Sequence, residues 1–204
     1  MAQRGRPRRF DRDVALQAMM EVFWARGYEG AQLVDLTAAA GIAPPSFYAA
    51  FGSKEAAFCE AVDHYIATVG EKPRQALDNG AKLRDGVESM LRASIDVALS
   101  ARPGGCLLIL GVVNCLPENE LARAHLKAAR DKTRELIRAR LERARTAGEL
   151  PSGFDTLQCA VFIHGVTQMI SFQARDGATH TELEALIAPA LRALEPVQSL
   201  ARFM

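Results

Sequence analysis

Apolar residues recur along the chain at three- and four-residue intervals and strand-like alternation is almost absent, so the pattern predicts an all-α protein of about nine helices. The first covers residues 11–26, with Ala15, Met19, Val22 and Phe23 on one face. Asp11 suits its N-cap, and Gly27 supplies a left-handed stop. A second short helix, about Leu33–Ala40, ends at Gly41, and a third lies within "GIAPPSFYAAFGSK", residues 41–54. The fourth, 53–70, carries a stripe of Phe58, Val62, Tyr65, Ile66 and Val69. At "EKPRQALDNGAK", residues 71–82, the pattern lapses and Pro73 and Asn79-Gly80 punctuate the chain. This is the predicted boundary between an N-terminal domain, 11–70, and a C-terminal domain, 82–204.

Beyond the boundary, residues 83–100 are amphipathic through Val87, Leu91, Ser94 and Ala98. The run 106–114 is apolar on all sides, which predicts a helix buried on all sides. A long charged helix, about 118–147, keeps an inner stripe of Ala122, Leu126, Ala129, Leu136 and Ala144. Between Arg123 and Arg145 it carries nine basic residues and three acids, read as a solvated face rather than a second nucleic-acid surface. Residues 155–174 are apolar around much of the circumference. The last helix starts at Thr179 or Thr181, each heading a T-x-x-E capping box, and Pro189 is expected to kink it.

Composition narrows the classes. The 204 residues are 49% hydrophobic and 24% charged with a formal net charge of +1, so this is no polybasic coat for nucleic acid. Charge is nonetheless concentrated at the start, where Arg4, Arg6, Arg8 and Arg9 precede the first acid, Asp11. No apolar stretch follows them as a signal peptide requires, and the longest uncharged apolar run, 106–113, is too short to span a bilayer. The expected location is the cytoplasm. Cys59, Cys106, Cys115 and Cys159 show neither C-x-x-C spacing nor a histidine at ligand offset, so reduced thiols, no metal and no cofactor are expected. Paired carboxylates in an apolar setting, a phosphate loop and a Ser-His-Asp set are likewise absent, and no catalytic residue is assigned.

Three short helices, the second and third joined at Ala39-Ala40-Gly41-Ile42, have the form of a helix-turn-helix, residues 32–51, whose recognition helix lays its first turn into the major groove. Proline is tolerated in that first turn, so Pro44 and Pro45 stiffen the entry and offer apolar surface to thymine methyls. Ser46 can bond a base or phosphate, Phe47 and Phe51 point inward, Tyr48 outward, and Lys54 begins the next helix as a phosphate clamp.

"VFWARGYEG", "LVDLTAAAGIAPPSFYAAFGSKEAAF" and "GRPRRFDRD" resemble the N-terminal domain of the TetR/AcrR family of bacterial transcriptional repressors, over about residues 5–70. The remaining two thirds match only in length and helical character. The resemblance implies an all-helical homodimer that reads a palindromic double-stranded operator, with a small-molecule inducer and the dimer interface in the C-terminal domain. It assigns phosphate contacts to Tyr48 and Lys54, the base-facing turn to Pro44, Pro45 and Ser46, and a DNA-tracking arm to Arg4, Arg6, Arg8 and Arg9 in residues 1–10. Gln32 and Ala43 fall on the same surface but depart from the pattern: each stands where a serine or threonine cap is usual, or next to it, and Ala49-Ala50 replace larger groups.

In the C-terminal half, the 106–114 run and the 162–172 segment are expected to line a cavity, with Cys106, Ile109, Asn114, Phe162, His164, Gln168 and Met169 as candidate ligand contacts. Cys106 follows Pro103-Gly104-Gly105 at a predicted helix start, where the dipole is expected to lower its thiol pKa; thiol modification there is the alternative trigger. Val161, Phe172, Leu183 and Leu186, on the helices from Asp155 and Thr179, are expected at the dimer interface. The competing classes are an all-α enzyme and a helical interaction module using the C-terminal cavity.

Overall fold

A computed structural model describes residues 11–195 other than 103, 113 and 115. Arg4, Arg6, Arg8, Arg9 and Cys115 therefore lie outside the described residues. The helices in chain order are α1 (Arg12–Gly30), α2 (Leu33–Ala40), α3 (Pro44–Phe51), α4 (Lys54–Ala67), α5 (Glu71–Asn79), α6 (Leu83–Ser100), the single turn α7 (Leu107–Leu110), α8 (Glu120–Thr146), α9 (Thr156–Arg175), α10 (His180–Glu184) and α11 (Ile187–Arg192), with a 3-10 turn at Pro117–Asn119. Setting α7 aside and counting α10 with α11 as one terminal stretch leaves nine helices, the expected number, with α5 in the count where the pattern had a helix over 106–114. No strand occurs among the described residues.

Local chemistry fixes the ends. Asp11 accepts from the backbone N–H groups of Asp13 and Val14, and Gly27 takes φ 69° where α1 breaks. Asp155 caps α9 through the Gln158 N–H. Of the two capping boxes, Thr179–Glu182 is the one formed. The terminal break falls at Ala185-Leu186, ahead of Pro189, which instead occupies the first turn of α11, where its missing N–H costs no bond.

Two expectations fail. Residues 71–79 form helix α5, because Pro73 sits in its first turn and Leu77 alone needs burying. The 106–114 run is not one helix: only Leu107–Leu110 make the turn α7, and Gly111, Val112 and Asn114 lie outside any helix. In addition, Leu136 is exposed, the inner stripe of α8 drifting to Ile137, Arg140 and Leu141 as an unbroken 27-residue helix turns against its neighbours.

Two apolar cores result. One gathers α5, α6, the second half of α8, and α9 to α11. The other gathers α1 to α4 but also takes Val97, Leu107, Val112, Ala122 and Leu126, so it extends well past the sequence boundary at 71–82.

Candidate nucleic-acid interface and cavity

α2 ends in Gly41 at φ 65°, and the Ile42 N–H closes back on the Thr37 carbonyl at 3.0 Å, which turns the chain into α3. Ala43 is the N-cap of α3 and offers no side-chain bond, with Pro44 and Pro45 as the first two helical residues. The turn therefore offers no row of free N–H groups: Ser46 has the first N–H of the helix and gives it to the Ala43 carbonyl at 2.9 Å. Phe47 and Phe51 are buried, their rings 5.7 Å apart, and hold α3 from behind. Ala43, Pro44, Pro45, Ser46, Tyr48 and Ala49 all face outward, Tyr48 with half its surface exposed.

α4 starts beside this face. Ser53 Oγ accepts from the Ala56 N–H at 3.0 Å, and Lys54, half-buried, holds its ammonium 4.6 Å from the centroid of the Tyr28 ring. Burial lowers the Lys54 pKa, against the raising charge of Glu29. Gln32, exposed at the N-cap of α2, donates its backbone N–H to Asp35 Oδ2 at 3.2 Å. Arg12, not singled out from sequence, packs over Phe51 at 4.7 Å and pairs with Glu60 at 2.6 Å, bracing the back of the recognition helix.

Among the contacts that tie this domain to the rest, several converge on the end of α1. Trp24 Nε1 donates to the Gly105 carbonyl at 2.7 Å, and the Tyr28 N–H donates to the Gly111 carbonyl at 2.6 Å. From α9, Arg175 donates Nη1 to the Ala25 carbonyl at 3.0 Å and Nη2 to that of Trp24 at 3.1 Å. The carbonyls of Gly105 and Gly111, one on each side of α7, thus serve α1 rather than a continued helix.

On its other side the same loop borders a cavity of about 290 Å³ enclosed by α4, α5, α6, α8 and α9. Cys106 lines it, accepting at Sγ from the Tyr65 hydroxyl at 3.2 Å while its own N–H donates to Ser171 Oγ at 2.8 Å. Its thiol pKa is raised, not lowered: burial outweighs the Tyr65 bond, the Leu108 and Ile109 N–H groups and the Arg130 charge. A one-turn α7 supplies too little dipole to reverse this. Burial likewise pushes Tyr65 well up. His164 lines the cavity too; burial, then Arg134 and Arg130, lower its pKa, so the ring is neutral at pH 7.

Of the expected ligand contacts, Cys106, Ile109 and His164 line this cavity. Asn114 and Met169 are exposed, Gln168 lies off the lining, and Phe162 borders a separate surface hollow beside Phe154 and Cys159. Tyr65, Arg130 and Thr133 line it without having been expected. On α9, Val161 and Phe172 are exposed together with Leu157 and Met169. Leu183 is fully buried within its own chain and offers nothing to a partner, and Leu186 is half-buried against the same core.

A recognition helix locked from behind, with a bare outer face and a helical domain behind it, defines a helix-turn-helix DNA-binding regulator. Residues 15–61 match the family model for bacterial regulatory proteins of the tetR family, and residues 80–188 match that for the tetracyclin repressor-like C-terminal domain. The chain belongs to the TetR family of transcriptional regulators. It is similar to the HTH-type transcriptional repressor ComR of Escherichia coli, 31% identical over 93% of this chain and 91% of that protein. The repressor BdcR of the same organism is 28% identical over 95% and 93%. Among solved structures, a cysteine mutant of the TetR family regulator CifR, complexed with 26-bp double-strand operator DNA, is 44% identical with a TM-score of 0.88, covering 92% of this chain and 99% of that one.

Proposed function

We propose that this regulator is a repressor that binds a palindromic operator as a homodimer in the cytoplasm and leaves it when a small molecule fills the cavity beside Cys106. The observation that carries the DNA reading is the α3 face: Pro44, Pro45, Ser46 and Tyr48 exposed over buried Phe47 and Phe51, with Lys54 at the adjoining helix start. Tyr48 and Lys54 hold phosphates, and the first turn of α3, with Gln32 and Ala43 alongside, approaches base edges and thymine methyls. The operator complex of CifR and the repressor names of ComR and BdcR support the same reading. Among the described residues no helix is long and apolar enough to cross a membrane.

Release follows from the position of loop 104–111 between cavity and α1. An occupant that displaces Cys106 moves the carbonyls holding Trp24 and Tyr28, and α4, which contributes Tyr65, shifts with them. The two reading heads then no longer match half-sites about 34–36 Å apart, or a multiple of that. A reagent that modifies the Cys106 thiol inside the cavity acts on the same loop; Cys106→Ser should abolish release by a quinone while leaving release by non-covalent ligands.

Footprinting on DNA flanking the chain's own coding region, followed by binding titrations at several salt concentrations, tests the DNA reading. Tyr48→Ala and Lys54→Ala should weaken binding across sequences, and Lys54→Ala should reduce the log–log salt slope by about 1. Affinity and slope indifferent to both changes would overturn the docking.

A further inference from the structure

The nine basic residues of α8 between Arg123 and Arg145 are not equivalent. Seven have a carboxylate partner: Arg123 with Glu120, Lys127 and Arg134 with Asp131, Arg138 with Glu135, Arg140 with Glu149, Arg143 with Asp78 and Arg145 with Glu142. Arg130 and Lys132 have none among the described residues, and both line the cavity. Arg130 is the more enclosed of the two: half-buried, with one bond, from Nη1 to the Leu108 carbonyl at 2.7 Å. An enclosed guanidinium without a counter-ion bears a desolvation cost that an anion in the cavity would offset.

A second, independent feature points into the same space. His164 is 7% exposed, lines the cavity, and its ring has no hydrogen-bond partner among the described residues. Buried polar side chains are nearly always bonded, so an unpartnered one facing a cavity marks a place where a ligand supplies the partner. A neutral imidazole presents one N–H donor there. The one acid in the lining, Glu71, is held by Arg74 and Gln75, so no free carboxylate faces the cavity to repel an anion. Lys132, Arg74 and the hydroxyls of Ser94, Thr133, Thr167 and Ser171 complete the polar part of the lining, and the other walls, among them Ile66, Met90, Val97, Ile109 and Ile137, are apolar. At about 290 Å³ the space lies at the small end of ligand sites and corresponds to on the order of ten non-hydrogen atoms.

We propose that the cavity takes a small organic monoanion, a carboxylate on an apolar body, with its oxygens on the Arg130 guanidinium and the His164 ring N–H and its body against the apolar walls. The class excludes polyphosphates, too large for a space of about 290 Å³, and it excludes organic cations, which Arg130 and Lys132 would repel. For its regulatory consequence the inference rests on the release mechanism proposed above; for binding it does not. A carboxylate drawing on Arg130 competes with the Leu108 carbonyl for the same side chain, which places the ligand charge on the loop that α1 leans on.

The test is calorimetric titration of the full chain, without DNA, with butanoate, hexanoate, octanoate and benzoate, each beside its neutral amide. The best carboxylate should bind at least ten-fold more tightly than its amide. Arg130→Gln should erase that preference, Arg130→Lys should keep part of it, and His164→Phe should weaken the carboxylate more than the amide. The inference is overturned if no carboxylate binds at millimolar concentration, if amides bind as well, or if the preference survives Arg130→Gln in protein whose circular dichroism is unchanged. Should Arg130→Gln fail to fold, Arg130→Lys and His164→Phe decide alone: a preference unmoved in both overturns it. The two readings fail separately. A carboxylate that binds without releasing operator DNA counts against the release mechanism and leaves the ligand class standing. Operator binding that depends on Tyr48 and Lys54, with no carboxylate bound, does the reverse.

Discussion

Ala43 heads the recognition helix with nothing to offer as a cap, and the two prolines after it are why the helix tolerates this. A cap stabilises by satisfying N–H groups in the first turn. Pro44 and Pro45 have none, so Ser46 is the first donor, and it already reaches the Ala43 carbonyl. Ala43→Ser should therefore raise stability by about 0.5–1 kcal/mol, the lower part of the usual range for caps, read as a small rise in the thermal midpoint. A gain at the top of that range would mean that the turn is less well satisfied than its geometry shows. Cys106 gives the second residue-scale prediction. Burial raises its pKa above the ordinary 9.0, so the reactive thiolate is scarcer at neutral pH than in a free thiol and becomes abundant only as pH rises past that value. Labelling by iodoacetamide, followed residue by residue by mass spectrometry, should still be climbing at Cys106 above pH 9.0. Cys159, pushed up to about 11, should lag further behind. A Cys106 rate that levels off below about pH 8 would refute the burial account.

Between elements, the α5–α6 hairpin depends on a close approach of two backbones. A Cβ on Gly86 would stand 2.5 Å from the Leu77 carbonyl oxygen, and one on Gly80 would stand 2.3 Å from the Gly86 backbone. Gly86→Ala should cost about 1–3 kcal/mol by overpacking, measured by denaturant unfolding, although the same change on an open helix face would stabilise. This hairpin is also where the sequence was hardest to interpret. α1, α2, α3 and α6 announce themselves through caps, glycines and regular apolar spacing. α5 buries Leu77 alone and opens with Pro73, so nothing in its periodicity separates it from a linker. The 106–114 run fails for the opposite reason. Leu107 and Val112 are apolar because they are buried in the core of α1 to α4, and an apolar run without period reads equally as buried helix or buried loop. The site divides in the same way. The candidate DNA face lies within one short stretch, where the exposure of Pro44, Ser46 and Tyr48 over buried Phe47 and Phe51 was legible. The cavity draws on several helices, and Arg130 looks like any of its eight basic neighbours until the partners of the others are known.

Across the whole molecule, α9 presents Leu157, Val161, Met169 and Phe172 outward, an exposed apolar set on the helix that also carries Arg175. Such a face suits a second copy of the chain. Phe172→Glu should leave the fold intact and shift sedimentation from dimer to monomer, with operator affinity falling together with it; an unchanged dimer would place the interface elsewhere. Arg175 also bears on what operator such a dimer can accept. Loop 104–111 and Arg175 hold the end of α1 through Trp24, Ala25 and Tyr28, while His125 of α8 bonds Asp63 of α4 at 2.8 Å and Tyr65 of α4 bonds Cys106. A domain held on two of its helices, by the loop, α8 and α9, has no single axis left about which to swivel like a head on a hinge. Adding one base pair between half-sites turns one of them by about 35° around the duplex and moves it about 3.4 Å along it. A swivelling reader would absorb that error; this one has no slack in which to do so, and spacing becomes as much a part of its recognition code as the bases themselves.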